Sequence, residues 1–201
     1  MRGSKIGVVV VAALAVCGAG RAEPEPAEAR RLAARLNADL LSHDSATETL
    51  QRWCAARHLA EPAKIVAERV LGPAKPAGAE VRRLLHAAPN EPIRYRRVAL
   101  ACGDHVLSNA DNWYRPGALT VQMNAELDTT DHPFGAVVRS LGFHRHTLRA
   151  MILISAKDRG TPDAIIRHEA VLETPDGAPF SLVVETYAKD ALSEGSAGLD
   201  R

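Results

Sequence analysis

The chain has 201 residues, with 25 Lys and Arg against 24 Asp and Glu, 46% hydrophobic and 24% charged. That is the balance of a globular domain large enough to bury a core, and it excludes a disordered chain and a multispan membrane protein. With neither charge in excess and only 4% aromatic residues, composition offers no basis for a nucleic-acid surface or an aromatic stacking platform.

In chain order, the first segment stands apart. Arg2 and Lys5 precede an apolar run from Ile6 to Ala15, and Gly20-Arg21-Ala22 supplies small residues around a cleavage point. A basic start, a short apolar stretch and a small-x-small ending predict a secretory signal peptide over residues 1–22 and an exported, periplasmic protein. The run is too short to span a bilayer as a helix. An uncleaved anchor and a lipoprotein through Cys17 are the alternatives, and the bulky Val16 weighs against the second. Removing Arg2, Lys5 and Arg21 leaves 22 basic against 24 acidic residues, a net charge of −2.

The rest reads as one domain, residues 23–190, followed by a flexible tail over 191–201. Leucines 32, 36, 40 and 41 predict a helix over 28–42. Ser45-Ala46-Thr47-Glu48 fits a capping box that opens a second helix, ending near Arg57. Lys64 to Val70 is strand-like, Gly72 to Gly78 is a Pro/Gly loop, and a short helix is expected at 80–87. From Ile93 the texture turns to β. Ile93–Cys102 and Val106–Asp111 form a hairpin around Gly103-Asp104. Short helices over 117–127 and 134–141 precede three more strands, at 144–155, 164–174 and 179–188. Strands joined by hairpins, with helices mostly grouped before them, predict an antiparallel α+β domain.

Cys54 falls in a predicted helix and Cys102 in a predicted strand. The pattern is read as two separately buried thiols, a disulfide being the alternative that an oxidising compartment permits. There is no CxxC or HExxH pattern, and no metal is expected; His144 and His146 are read as surface histidines. Arg30, Arg31 and Arg35 read as a solvated helix face, and Trp113 as a packing residue or a wall of a pocket.

Alternation sorts the strand side chains by face. Ile93, Tyr95, Arg97, Ala99 and Ala101 point one way; Arg94, Arg96, Val98, Leu100 and Cys102 point the other. Both faces are apolar beyond the arginines, so at least one arginine enters covered surroundings and needs an anionic partner. In the last strand Glu185 shares a face with Ser181, Val183 and Tyr187, a single carboxylate in an apolar strand. Two readings follow: a structural Arg–Glu pair, or a site in which Arg grips a ligand carboxylate with two prongs.

Six segments, in order across residues 40–188, resemble the chorismate pyruvate-lyases. They are Leu40 to Thr47, Arg94 to Cys102, the distance from Arg97 to Pro116, Asp131-His132-Pro133-Phe134-Gly135, Arg145 with Thr147-Leu148, and Pro179 to Thr186. The resemblance implies a six-stranded antiparallel sheet with helices packed on it and a small enclosed cavity. It further implies a lyase that eliminates pyruvate from chorismate to give 4-hydroxybenzoate, or acts on a related small aromatic or cyclic carboxylate, without metal or cofactor. Carried over by position, Arg97 holds the ligand carboxylate. Glu185 sits at the far end, where burial raises its pKa so that it transfers a proton or binds the product hydroxyl. Phe134 stands where the family has a leucine and Ala46 where it has a methionine, both against the ligand. Asp111 replaces a glycine. Similar sheets also serve as effector-binding modules of transcription regulators. An exported chain would rarely meet chorismate, so the alternative is a non-catalytic exported small-molecule-binding domain on the same fold. Either way the expectation is a monomer with a small carboxylate ligand, no nucleic acid and, once mature, no membrane.

Overall fold

The computed structural model describes residues 24–195; the signal segment read over 1–22 and the last six residues of the tail lie outside the described residues. Among the described residues, five α-helices and six strands alternate little. α1 (Pro26–Leu41) and α2 (Ala46–Ala56) come first, then β1 (Ile65–Arg69), α3 (Ala79–Leu84), β2 (Arg94–Cys102) and β3 (His105–Tyr114). α4 (Val121–Thr129) and α5 (Phe134–Val137) separate that group from β4 (His144–Ile152), β5 (Ala164–Glu173) and β6 (Pro179–Ala188). The strands form one antiparallel sheet in the order β1-β2-β3-β6-β5-β4, which is the α+β architecture read from the sequence. The last strand is thus a central one, inserted between β3 and β5.

Local chemistry explains the elements. In α1, Ala29, Ala33, Leu36 and Leu40 recur every three or four residues and are all buried, while Arg30, Arg31 and Arg35 face water. Ser45 caps α2, its hydroxyl accepting the Glu48 amide at 3.2 Å. The reciprocal half of the box is not made, because Glu48 turns outward to Arg139 at 2.8 Å. The β2–β3 hairpin closes directly between Cys102 and His105. Gly103 there has φ +55°, and a β-carbon would stand 2.8 Å from that of Ala60, so only glycine fits.

One face of the sheet carries the main core. α1 and α2 lay Leu36, Leu40, Leu50 and Trp53 on Val98, Leu100, Ile166 and Tyr187. Beside it a second cluster gathers Tyr114, Phe134, Phe143, Leu172 and Phe180. On the opposite face Leu85, just past α3, covers Trp113, Val171 and Leu182. Trp113 is therefore a packing residue of that face, and its indole donates to the Lys75 carbonyl at 3.0 Å.

Two expectations are corrected. Cys54 and Cys102 are not separate thiols: α2 lies across the end of β2, brings their Cα atoms to 6.4 Å, and the two form a disulfide. Nor does the fold end at residue 190. Ala191 and Leu192 are buried, and the carbonyls of 191, 192 and 193 accept from Trp53 Nε1 and the Arg57 guanidinium at 2.6–2.7 Å.

Candidate functional site

A small cavity of about 50 Å3 lies between the sheet and the first turns of α2 and α5. The register builds its floor. Arg96 pairs with Asn112, and Asn112 with Val183; Val98 pairs with Ala110, and Ala110 with Glu185. Directly paired residues point to one face, so Arg96, Val98, Asn112, Ala110, Val183 and Glu185 all look into the same space. Ser45-Ala46-Thr47 of the α2 entrance and Phe134-Gly135 of α5 form the roof, with Phe143 and Leu172 closing the side. The roof is tight: a β-carbon on Gly135 would sit 3.1 Å from Thr47 Oγ1 and 3.4 Å from Ser45 Oγ.

The expected site residues divide. Glu185, Phe134 and Ala46 line the cavity. Arg97 does not. It stands half-exposed on the opposite face, 3.8 Å from Asp111, whose other partners are Tyr95, at 2.5 Å, and Lys75. Burial, then the bond to Asp111, push the Tyr95 phenol up to about 12. Asp111 therefore binds the Pro/Gly loop over 72–78 to the outer face through Lys75, and is not beside the cavity. The alternation in β2 sorted the two arginines correctly, but the helices dock on the face that carries Arg96.

Arg96 is 7% exposed. Its Nη2 donates to the His132 carbonyl at 3.1 Å, while Nε and Nη1 are buried without a hydrogen-bond partner. Burial first, and the like charge of Arg69 second, lower its pKa from the ordinary arginine value, yet a guanidinium stays charged in any protein. Across from it Asn112 spends its oxygen on Ser181 Oγ at 2.6 Å and leaves its amide nitrogen unpartnered. The strap that receives Arg96 is itself fixed, since Ala67 N donates to the Asp131 carbonyl at 2.7 Å.

At the other end Arg145 of β4 meets Glu185 of β6, Nη2 to Oε2 2.5 Å, with the side chains 4% and 7% exposed. Tyr187 donates its hydroxyl to the same Oε2 at 2.9 Å. Burial works to lower the Arg145 pKa, but the charge of Glu185 and the neighbouring Tyr187 raise it above the ordinary value. Burial, then the Glu185 charge, lift the Tyr187 phenol well above its usual range. The Arg145 backbone N–H donates to Asp44 Oδ1 at 2.7 Å, which joins β4 to the lip of the cavity. Sequence reasoning expected an Arg–Glu pair but looked for its arginine in β2. Arg145 carried no periodic signal of its own and entered only through the resemblance at Arg145 with Thr147-Leu148; the β4–β5–β6 pairing is what brings it to Glu185. His144 and His146 are exposed, and His144 faces Asp44 at 3.5 Å.

Fold and cavity define a class: a small α+β domain with a small, mostly apolar cavity between sheet and helices, lined by a lone buried arginine and by a buried Arg–Glu pair. The chain belongs to the family of the uncharacterized protein y4mC of Sinorhizobium fredii (strain NBRC 101917 / NGR234), to which it is 50% identical over 182 residues, 82% of this chain and 77% of that protein. No family model matches it. Among solved structures it is similar to PhnF from Mycobacterium smegmatis (TM-score 0.47, 13% identity, 79% of this chain and 70% of that one). It is also similar to a GntR-family transcriptional regulator from Enterococcus faecalis V583 (0.41, 13%, 69% and 96%). A third is the possible transcriptional regulator YydK from Bacillus subtilis (0.44, 13%), of which the chain spans 62% of the length against 67% of its own. Likenesses at this level carry no function across.

Proposed function

We propose that the protein binds a small aromatic or cyclic carboxylate in this cavity, acting as a monomer after export. The observation that carries the reading is Arg96: a buried guanidinium with two unpartnered nitrogens, on a residue that lines a small, mostly apolar cavity. Such a charge is strongly destabilising without an anion, and a carboxylate fits its fork. The Asn112 amide adds a third donor beside it. Apolar walls from Val98, Ala110, Phe134 and Val183 take the ring, and Glu185 takes a hydroxyl at the far end.

Pyruvate elimination from chorismate is the second reading. It is favoured by the presence of a cation and a carboxyl group on the lining of one mostly apolar cavity, which suffices to orient an elimination that aromatises the ring. Against proton donation by Glu185, both of its contacts are donors to it, from Arg145 and Tyr187. A carboxylate held in that way accepts hydrogen bonds, and this favours binding over turnover. Export is supported by the basic-apolar-small pattern of residues 1–22 and by the Cys54–Cys102 disulfide, a bond of oxidising compartments.

The test is calorimetric titration of residues 23–201 with 4-hydroxybenzoate, and incubation with chorismate followed by pyruvate assay. Saturable binding that falls about 100-fold in Arg96→Gln, two charge-assisted bonds lost, supports the reading. Unchanged binding in that variant overturns it, and pyruvate release establishes the second reading instead. Arg97→Gln is expected to bind as the unaltered protein does.

A further inference from the structure

Two arginines face the cavity and one buried carboxylate answers them. Arg145 and Glu185 are 2.5 Å apart and almost wholly enclosed, so their charges cancel where they stand. Arg96 has no ion-pair partner among the described residues, and its only hydrogen bond goes to the neutral His132 carbonyl. The interior therefore carries one positive charge with no adjoining anion, at the Arg96 end, where Asp128 acts on it only from farther away. The remaining titratable group on the lining, Asp44, is half-exposed at the mouth and adds negative charge on the Glu185 side, where it holds the Arg145 backbone N–H.

We propose that the Arg145–Glu185 pair sets the charge of the ligand: the cavity accepts one negative charge, at Arg96, and Glu185 rejects a second. This deepens the carboxylate-binding reading and rests on it. A ligand carboxylate at the far end would lie against the Glu185 carboxylate with little water between them, and like charges at such range are costly. Arg145 offers such a carboxylate little net positive charge, because Glu185 already neutralises it at 2.5 Å. A hydroxyl has no such conflict, since it can donate to Glu185 and accept from Arg145. The same reasoning ranks chorismate, itself a dicarboxylate, below 4-hydroxybenzoate.

The consequence that a merely structural ion pair would not produce is a gain of binding. Glu185→Gln keeps the shape and an acceptor oxygen for Arg145 and Tyr187 but removes the negative charge. Two arginines then face a neutral wall, and a second ligand carboxylate finds a partner. The experiment titrates both proteins with benzoate, 4-hydroxybenzoate and terephthalate (benzene-1,4-dicarboxylate). The unaltered protein is expected to bind 4-hydroxybenzoate about tenfold or more tightly than terephthalate, and Glu185→Gln to reverse that order through a gain for terephthalate of similar size. Benzoate, bound by both, reports that the Arg96 end is intact. If benzoate binds both proteins and terephthalate gains nothing in the variant, the charge-setting role of Glu185 is wrong while the carboxylate site stands. Equal affinity of the unaltered protein for terephthalate and 4-hydroxybenzoate overturns it in the same way. If neither protein binds any of the three, both readings fall.

Discussion

Reducing the Cys54–Cys102 bond should cost stability through the unfolded chain rather than through the folded one. The cross-link spans a sequence separation of 48 residues. Loop-closure entropy for that length amounts to about 4 kcal/mol at 25 °C. The folded state loses little, because α2 is held independently. Gln51 clamps the Ala63 carbonyl and the Ile65 amide, Trp53 and Arg57 hold the carbonyls of 191–193, and Leu50 is fully buried. For a domain of this size the loss corresponds to a drop in Tm of roughly 10 °C. In urea the midpoint should fall by about 2 M at a slope near 2 kcal/mol/M. The assay is equilibrium urea unfolding with and without reductant, repeated on the Cys54→Ala/Cys102→Ala variant. Coincident curves would refute the reasoning. So would a large fall in 4-hydroxybenzoate affinity on reduction below the transition, since that would mean the bond shapes the folded cavity.

Other outcomes follow from the buried polar groups and the roof. His168, fully buried, with Nε2 2.8 Å from Asn37 Oδ1, has its pKa lowered from 6.5 by desolvation, partly opposed by Glu185 and reinforced by Arg145. The unfolded chain then binds more protons than the folded one below about pH 6.5, so stability is lost as pH falls through that value. Thermal melts between pH 7 and 5 should show that slope, and His168→Gln should flatten it. Arg145→Met strands the Glu185 carboxylate and should cost about 3–5 kcal/mol, whereas Arg145→Met/Glu185→Leu should recover most of that in urea unfolding; equal losses would contradict a desolvation cause. Gly135→Val places a branched side chain where even a β-carbon is 3.1 Å from Thr47 Oγ1, and should weaken 4-hydroxybenzoate binding by calorimetry. Unchanged affinity would show that the roof moves freely.

The strands, their hairpins and the sharing of faces in β2 and β6 were legible because a period of two needs only local residues. Which face is the interior was not. Arg96 and Arg97 are neighbours on a strand with apolar residues on both sides, and the choice was made by distant segments. α1, α2 and α5 cover one face, while α3 and the loop pinned by Lys75 and Asp111 lie on the other. Glu185 was legible as the lone carboxylate of an apolar strand. Its partner Arg145 was not, since it sits among His144, His146 and Arg149 on an edge strand and only its side chain is enclosed. The disulfide and the buried Ala191 and Leu192 escaped for the same reason: both depend on where α2 comes to rest.

The placement of β6 has a consequence for how the chain must fold. It is the last of the described strands in chain order and yet it lies in the middle of the sheet, with β3 on one side and β5 on the other. Before residue 179 is available, β1-β2-β3 and β4-β5 can form only as two separate pieces, each ending in an open edge. No part of the chain can complete the cavity early, because Arg96 and Asn112 lie on the first piece, Arg145 on the second and Glu185 on the joining strand. Pairings of such sequence separation are slow to form. The first piece therefore stays without its central partner until β6 arrives, and the cavity is completed only by pairings that span most of the described chain.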